Sequence, residues 1–342
     1  MASSSSPSQV ICASFNQDNS MFSVGTKDGF KIFDARNGRL CYEKSLGGFN
    51  IVEMLFGTNL LAIVGTGEQS SNHIMCRLVV VLQDRTFVYD LNSTTILDEI
   101  ETVPNTKGLC AFAPNSEECY LALPASTSKG SALVYKASKP ELICQIDAHL
   151  APLAAMVFSL NGMYLATASE KGTMIRVHLV AQATKSHSFR RGTYPSTIYS
   201  LAFSPSVDLP DVLVATSSSG SLHMFFLDAS RNARRQANTL FSSVIPGSVT
   251  DALDPANHHV IHNVVTADIK SCLAVHSVEN SQNSSKFPSL KTVIYIVTHN
   301  GYFREYLIGT TKSNESSWLL EREFNLLDAY SGSPKQNELH ID

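Results

Sequence analysis

The sequence predicts an all-β protein: a seven-bladed β-propeller of WD-repeat type whose second and third blades are incomplete. Three observations predict it. A strand, turn, strand unit recurs along the chain, most copies are spaced by about forty residues, and stretches of helical period are nearly absent.

The repeat is an apolar strand ending in small or β-branched residues, a polar turn that usually carries Gly, and a second strand that closes with an aromatic and often an acid; six of the seven copies show an obvious second strand. The first is "MFSVGTKDGFKIFD" at 21–34, where Asp28-Gly29 is a strong hairpin signal. Later copies lie at 60–67, 77–90, 119–136, 163–180, 211–228 and 291–308, and further short strands precede three of them at 109–114, 154–162 and 199–206. Such blades cannot cover both faces alone, so stacking in a ring makes the core. Seven inner strands, marked by Val24, Ile63, Val80, Ala122, Ala166, Ala215 and Ile296, set the expected count of seven blades.

Two spacings depart from the repeat. Ile63 and Val80 are only 17 residues apart, so the outer half of blade two and the first strand of blade three are expected to be missing, leaving apolar faces and strand edges uncovered. Ala215 and Ile296 are 81 apart and enclose two insertions. One, 229–257, opens with Arg231, Arg234 and Arg235 and continues with Leu240, Phe241, Val244 and Ile245 at helical spacing. It reads equally as a segment that enters a membrane interface and as a loop packing on its own blade. The other, 278–289, is polar and reads as a surface loop.

The expected organisation is a disordered Ser-rich tail at 1–8, one propeller domain at 9–328 and a polar tail at 329–342. A net charge of −4 on 342 residues gives no general attraction to polyanions, so any anion site must be a local gathering of Lys and Arg. Bulk nucleic-acid binding is disfavoured. Seven cysteines without a C-x-x-C pair suit reduced thiols, and neither a cofactor nor a metal is implied. No apolar run approaches the length of a bilayer span, so a soluble protein with peripheral membrane contact is expected.

The chemistry concentrates in Phe189-Arg190-Arg191-Gly192. On an extended segment successive side chains leave opposite faces, so Arg190 and Arg191 should serve two separate pockets, each matching a planar guanidinium to a phosphate. The competing reading is a solvated edge with local ion pairs. Hydroxyls, Gly amides and a His, the right inventory for phosphate oxygens, lie upstream at Ser169, Gly172, Thr173 and Arg176 (with Thr167) and downstream at Ser217, Ser221 and His223. Asp147 and His149 match a structural turn between blades. No nucleophile elbow, H-E-x-x-H, P-loop or distinctive carboxylate pair occurs, so no enzyme is expected.

With "TVPNTKGLCAFAP", "YLALPASTSKGSALVY", "IDAHLAPLAAMVFSLNGMYLATASEKGTMIRVHLV" and "FRRGTYPSTIYSLAFSP", the chain resembles, over 8–327, the PROPPIN family of phosphoinositide-binding propellers, known in animals as WIPI proteins. The resemblance implies a peripheral effector of autophagosome formation, cytoplasmic and recruited to phagophore and endosomal or vacuolar membranes. Its ligands would be phosphatidylinositol 3-phosphate and phosphatidylinositol 3,5-bisphosphate. Carried over, Ser169, Gly172, Thr173, Arg176 and Arg190 form a first headgroup site, and Arg191, Ser217, Ser221 and His223 a second. The insertion at 229–257 would be the family's membrane loop. An autophagy lipid-transfer protein is the implied partner, but the stretch that helps bind it falls in the gap after Gly67, so poor recruitment is expected. The alternatives are a generic WD-repeat interaction scaffold and a truncated form with impaired function.

Overall fold

The computed structural model describes residues 10–45, 49–54, 61–65, 77–90, 93, 95–113, 119–137, 141–206, 210, 212–227, 258–278, 291–310 and 316–327. Among them are twenty-five strands and one short 3-10 turn, Val180–Gln182.

The strands form antiparallel sheets in chain order. The first sheet is β1 (Val10–Phe15), β2 (Met21–Thr26), β3 (Phe30–Asp34) and β4 (Leu40–Lys44). A two-stranded piece follows, β5 (Phe49–Met54) with β6 (Leu61–Gly65), then a three-stranded piece, β7 (Arg77–Val81), β8 (Arg85–Asp90) and β9 (Thr95–Glu101). Four complete sheets complete the chain: β10 (Ala111–Ala113), β11 (Tyr120–Pro124), β12 (Gly130–Lys136) and β13 (Glu141–His149); β14 (Leu153–Phe158), β15 (Tyr164–Ser169), β16 (Met174–Leu179) and β17 (Thr184–Arg190); β18 (Ile198–Phe203), β19 (Val212–Ser217), β20 (Leu222–Phe226) and β21 (His258–Ile261); β22 (Ser271–Val278), β23 (Lys291–Thr298), β24 (Tyr302–Thr310) and β25 (Ser316–Asn325).

This is an all-β propeller, but of six blades and not the seven expected. Six of the strands taken from sequence as inner, those of Val24, Ile63, Ala122, Ala166, Ala215 and Ile296, are the second strands of their sheets, while that of Val80, β7, is the edge strand of a three-stranded piece. The innermost are the first strands, which pack side by side in the order β10, β14, β18, β22, β1, β5. There are six of these among the described residues. The piece β7–β9 has no such strand and β5–β6 stops after two, which is where the 17-residue step predicts missing sheet.

Apolar residues on both faces of each sheet drive the stacking. Alanines and β-branched residues alternate with partners across each interface, as where Ala166, Ala168, Ile175 and Val177 meet Ile198, Leu213, Ala215 and Phe225. Equivalent clusters join β10–β13 to β14–β17, β18–β21 to β22–β25, and β22–β25 to β1–β4. The short pieces each lean on one neighbour: Val52 and Met54 on Phe30 and Ile32, and Val88 and Ile100 on Leu121 and Leu123. Among the described residues no cluster joins the two short pieces to each other.

Among the described residues no sheet mixes strands from the two ends of the chain, so the first and last blades are held by side chains alone. Phe22 stacks on Phe33 at 5.0 Å and on Phe303 at 5.1 Å, and Phe303 on Phe324 at 4.7 Å, with Phe22 fully buried. Rings at these separations add to the energy of burial. Phe22→Ala is expected to lower stability by about 3–5 kcal/mol, measured by the shift in urea midpoint at unchanged slope.

Candidate functional site

The segment that carries the two arginines is extended, as the alternation argument requires. Phe189 and Arg190 end β17, the outermost strand of its blade, and Arg191 begins the loop to the next. In register, Arg190 faces Met174 and Ser188 faces Arg176, while Phe189 faces Ile175. Phe189 turns toward the β18–β21 blade, where it stacks on Phe225 at 4.9 Å. Arg176 turns the other way and donates from Nη1 to the Ala148 carbonyl of β13 at 2.5 Å. The two faces of this one blade therefore open on two different interfaces. Arg190 lies on the Arg176 face and Arg191 on the opposite side.

Arg191 is 9% exposed and held by main-chain oxygens. Its Nε donates to Gly172 O at 2.8 Å and its Nη2 to Tyr194 O, while its amide donates to Thr173 O at 2.9 Å. Burial pulls its pKa below the ordinary arginine value, yet an arginine stays charged. Among the described residues neither Arg191 nor Arg190 has an ion pair. Arg190 is exposed. The nearby acid Glu170 is taken by Lys107 at 2.6 Å.

Gly172 makes the arrangement possible. Its φ is +57°, and a Cβ there would lie 1.8 Å from the Ser196 carbonyl oxygen. The close approach lets the turn between β15 and β16 touch the arginine loop, with Ser196 N donating to Lys171 O at 3.1 Å. The loop is also laced to the next blade: Ser196 Oγ and Ser218 Oγ are 3.0 Å apart, and Thr197 N donates to Ser218 Oγ at 3.1 Å.

Around Arg191 the structure gathers His223 together with His258 and His262, which sequence reasoning missed. His223 Nδ1 and His258 Nε2 share a hydrogen bond of 2.9 Å, and Ser221 Oγ bonds His262 Nδ1 at 3.2 Å. His258 also lies 4.5 Å from Phe225, ring centre to ring centre. Burial, then the neighbouring rings and Arg191, push His223 down to about 3 and His258 to about 4. Ser217 is buried, with its Oγ 2.9 Å from Ser219 Oγ. The signal for His258 is its register: β21 pairs with β20 so that it comes beside Phe225, two residues from His223. That strand begins only after the long insertion, so its pairing is not readable from local spacing.

On the other face Arg176 lies 3.4 Å from His149 Nδ1, and His149 Nε2 bonds Thr167 Oγ1 at 3.1 Å. His149 thus ties β13 to β15, in a strand end and not the turn expected; Asp147 bonds Gln145 at 2.9 Å. Ser169 is buried, and its carbonyl accepts from Gly172 N at 2.8 Å. Thr173 is half-buried. Gly172 and Thr173, expected in the first site, turn their carbonyls to the arginine of the second. Leu240, Phe241, Val244 and Ile245 lie outside the described residues. No helix among the described residues is long and apolar enough to cross a membrane.

A family model described as PROPPIN matches residues 48–254. The chain belongs to the PROPPIN family. It is 53% identical to Autophagy-related protein 18b of Arabidopsis thaliana over 362 positions, covering 96% of this chain and 99% of that one. Those positions outnumber the 342 residues here, so the relative carries residues this PROPPIN lacks. Autophagy-related protein 18 of Dictyostelium discoideum is 37% identical over 249 residues, 65% of this chain and 66% of that one. Among solved structures, Kluyveromyces lactis Hsv2 superposes with a TM-score of 0.70 at 17% identity, over 93% of this chain and 99% of that chain, a likeness of fold. As a PROPPIN the chain is a non-enzymatic β-propeller effector.

Gly172→Ala is expected to cost more than about 2 kcal/mol, since the side chain meets both a left-handed φ and a backbone oxygen; denaturant melts measure it. Acid should also destabilise the fold. His149, His178, His223 and His258 all sit well below the ordinary 6.5, at about 4, 4, 3 and 4. The unfolded chain therefore takes up protons that the folded one refuses, and stability falls as pH drops from about 6.5 toward about 4. A Tm that declines steadily over that range is the expected result.

Proposed function

We propose that this PROPPIN acts in autophagy as a peripheral membrane effector that binds phosphatidylinositol 3-phosphate and phosphatidylinositol 3,5-bisphosphate through two sites flanking 189–192. The observation that carries this reading is a pair of adjacent arginines on opposite sides of one blade with no carboxylate partner among the described residues. A buried, ordered guanidinium without a counter-ion is a site for an anion from outside. The names of its relatives supply the process.

In the first site Arg190 supplies the exposed cation, Arg176 and Thr173 the wall, and Ser169 and Gly172 the turn. In the second, Arg191 is the fixed cation, with Ser217, Ser221 and His223 behind it. Each site alone is weak, and two on one rigid body act together through effective concentration. Leu240, Phe241, Val244 and Ile245 would add an apolar wedge. Both headgroups then dock the ring by its edge, which places the protein on phagophore and endosomal or vacuolar membranes. The partner contact, an autophagy lipid-transfer protein, falls where blade two is short, so this PROPPIN finds the lipid but recruits poorly.

Arg190→Thr with Arg191→Thr is expected to abolish sedimentation with liposomes containing phosphatidylinositol 3-phosphate, while each single change weakens binding by roughly tenfold or more. Undiminished binding by the double variant, at an unchanged melting temperature, rejects the reading. A wild-type protein indifferent to the lipid would leave the generic interaction scaffold in its place.

A further inference from the structure

We propose that the Arg191 pocket is a proton-coupled anion site, in which a bound phosphate monoester draws a proton from solvent onto the hydrogen-bonded His223–His258 pair, so that binding tightens as pH falls below neutral. This rests on the reading of that pocket as a phosphate cradle and adds its regulation.

The geometry carries it. The two rings meet Nδ1 to Nε2 at 2.9 Å with centres 5.2 Å apart. Whichever ring donates, that bond holds a single proton. His223 is 4% exposed, and its Nε2 is buried without a hydrogen-bond partner. A buried ring nitrogen left unmatched beside a fixed guanidinium is a position that an outside group completes.

The groups facing the pair share one sign. From β21 and its continuation come His258, His259 and His262; from the loop after β17 comes Arg191. β19 contributes no ionisable side chain, and β18 only Tyr199, whose neighbour is Asp268. His187 on β17 bonds Ser186 and stacks on Phe189. Burial first, and then the field of Arg191 and of the neighbouring rings, oppose a further proton on the pair, which is why it stays neutral at pH 7.

A phosphate monoester carries between one and two negative charges near neutrality. Seated against Arg191 it reverses the balance, since a proton on the pair then compensates charge instead of adding to it. By linkage, a ligand that raises a group's pKa binds the protonated form more tightly by the same factor. Because the empty-site values lie near 3 and 4, the gain begins at the raised, occupied value and grows as pH falls toward about 4. Restoring one ring only to the ordinary histidine value of about 6.5 gives roughly tenfold tightening between pH 7.5 and 5.5. Protonation of the phosphate itself works in the opposite direction.

The test compares wild type and His258→Gln by calorimetry and vesicle sedimentation at pH 7.5 and 5.5. The probes are vesicles with and without phosphatidylinositol 3-phosphate, soluble inositol 1,3-bisphosphate and inorganic phosphate. Thermal melts at both pH values check the fold. Wild type is expected to bind about tenfold more tightly at pH 5.5 and to take up protons, read from buffers of different ionisation enthalpy. The soluble headgroup should behave alike, which places the effect in the pocket and not in the bilayer. His258→Gln, on a short outer strand and half-buried, is expected to bind at pH 7.5 but to lose both tightening and uptake. Binding that is indifferent to pH, tightening seen with vesicles alone, or full tightening in His258→Gln overturns the coupling and leaves the phosphate reading standing. Absence of binding at either pH overturns both.

Discussion

The blades among the described residues carry apolar side chains into the spaces between them, and there another sheet covers them. Among the described residues the helical element is a single 3-10 turn, so sheets do that work. Phe22, Phe33, Leu121, Leu165, Ile175 and Leu213 are all buried, each between two layers and not beneath one. Stability therefore resides in the interfaces between blades, and a blade has little of its own. The same constraint decides where polar chemistry can stand, because the interiors of those interfaces are closed to it. Function is confined to the ends of strands, where turns and loops from adjacent blades meet.

The arginine loop sits at such a junction and is bound to both sides of it. Its cation is fixed by carbonyl oxygens, so it is held in place without being neutralised. Burying an uncompensated charge is unfavourable, and here the neighbours that feel it are the imidazoles of His223 and His258, stacked on each other. The folded chain bears that unfavourable field at a fixed guanidinium. On the opposite face the same blade commits Arg176 to Ala148 and His149, so the exposed Arg190 is the more adaptable of the two cations.

Much of this was legible in the sequence. Strand, turn, strand units located β2 with β3, β7 with β8 and the pairs that follow, since period and turn chemistry are local signals. The divergence of Arg190 and Arg191 followed from the alternation of an extended chain. The outermost strands were not seen: β13 and β17 read as polar, half-exposed runs such as "TKSHSFR", in which a single covered face leaves a weak pattern. The blade count failed for a related reason. Second strands were mistaken for the axis, and counting β7 with them gave a seventh blade, whereas the first strands that line the axis can be as short as the three residues of β10. His258 was missed because register across the long 228–257 connection is a tertiary fact.

The pieces β5–β6 and β7–β9 give this ring a seam. A closed cycle of stacked sheets has no first layer to lose, whereas a cycle cut at one place is an arc with two free ends. Arcs fray from their tips inward. The two arginine-bearing junctions lie on either side of β14–β17, shielded from the nearer tip by the whole β10–β13 blade. The seam thus sets an order of melting in which amide exchange spreads from β5–β6 and β7–β9, and the junctions beside β14–β17 are among the last to open.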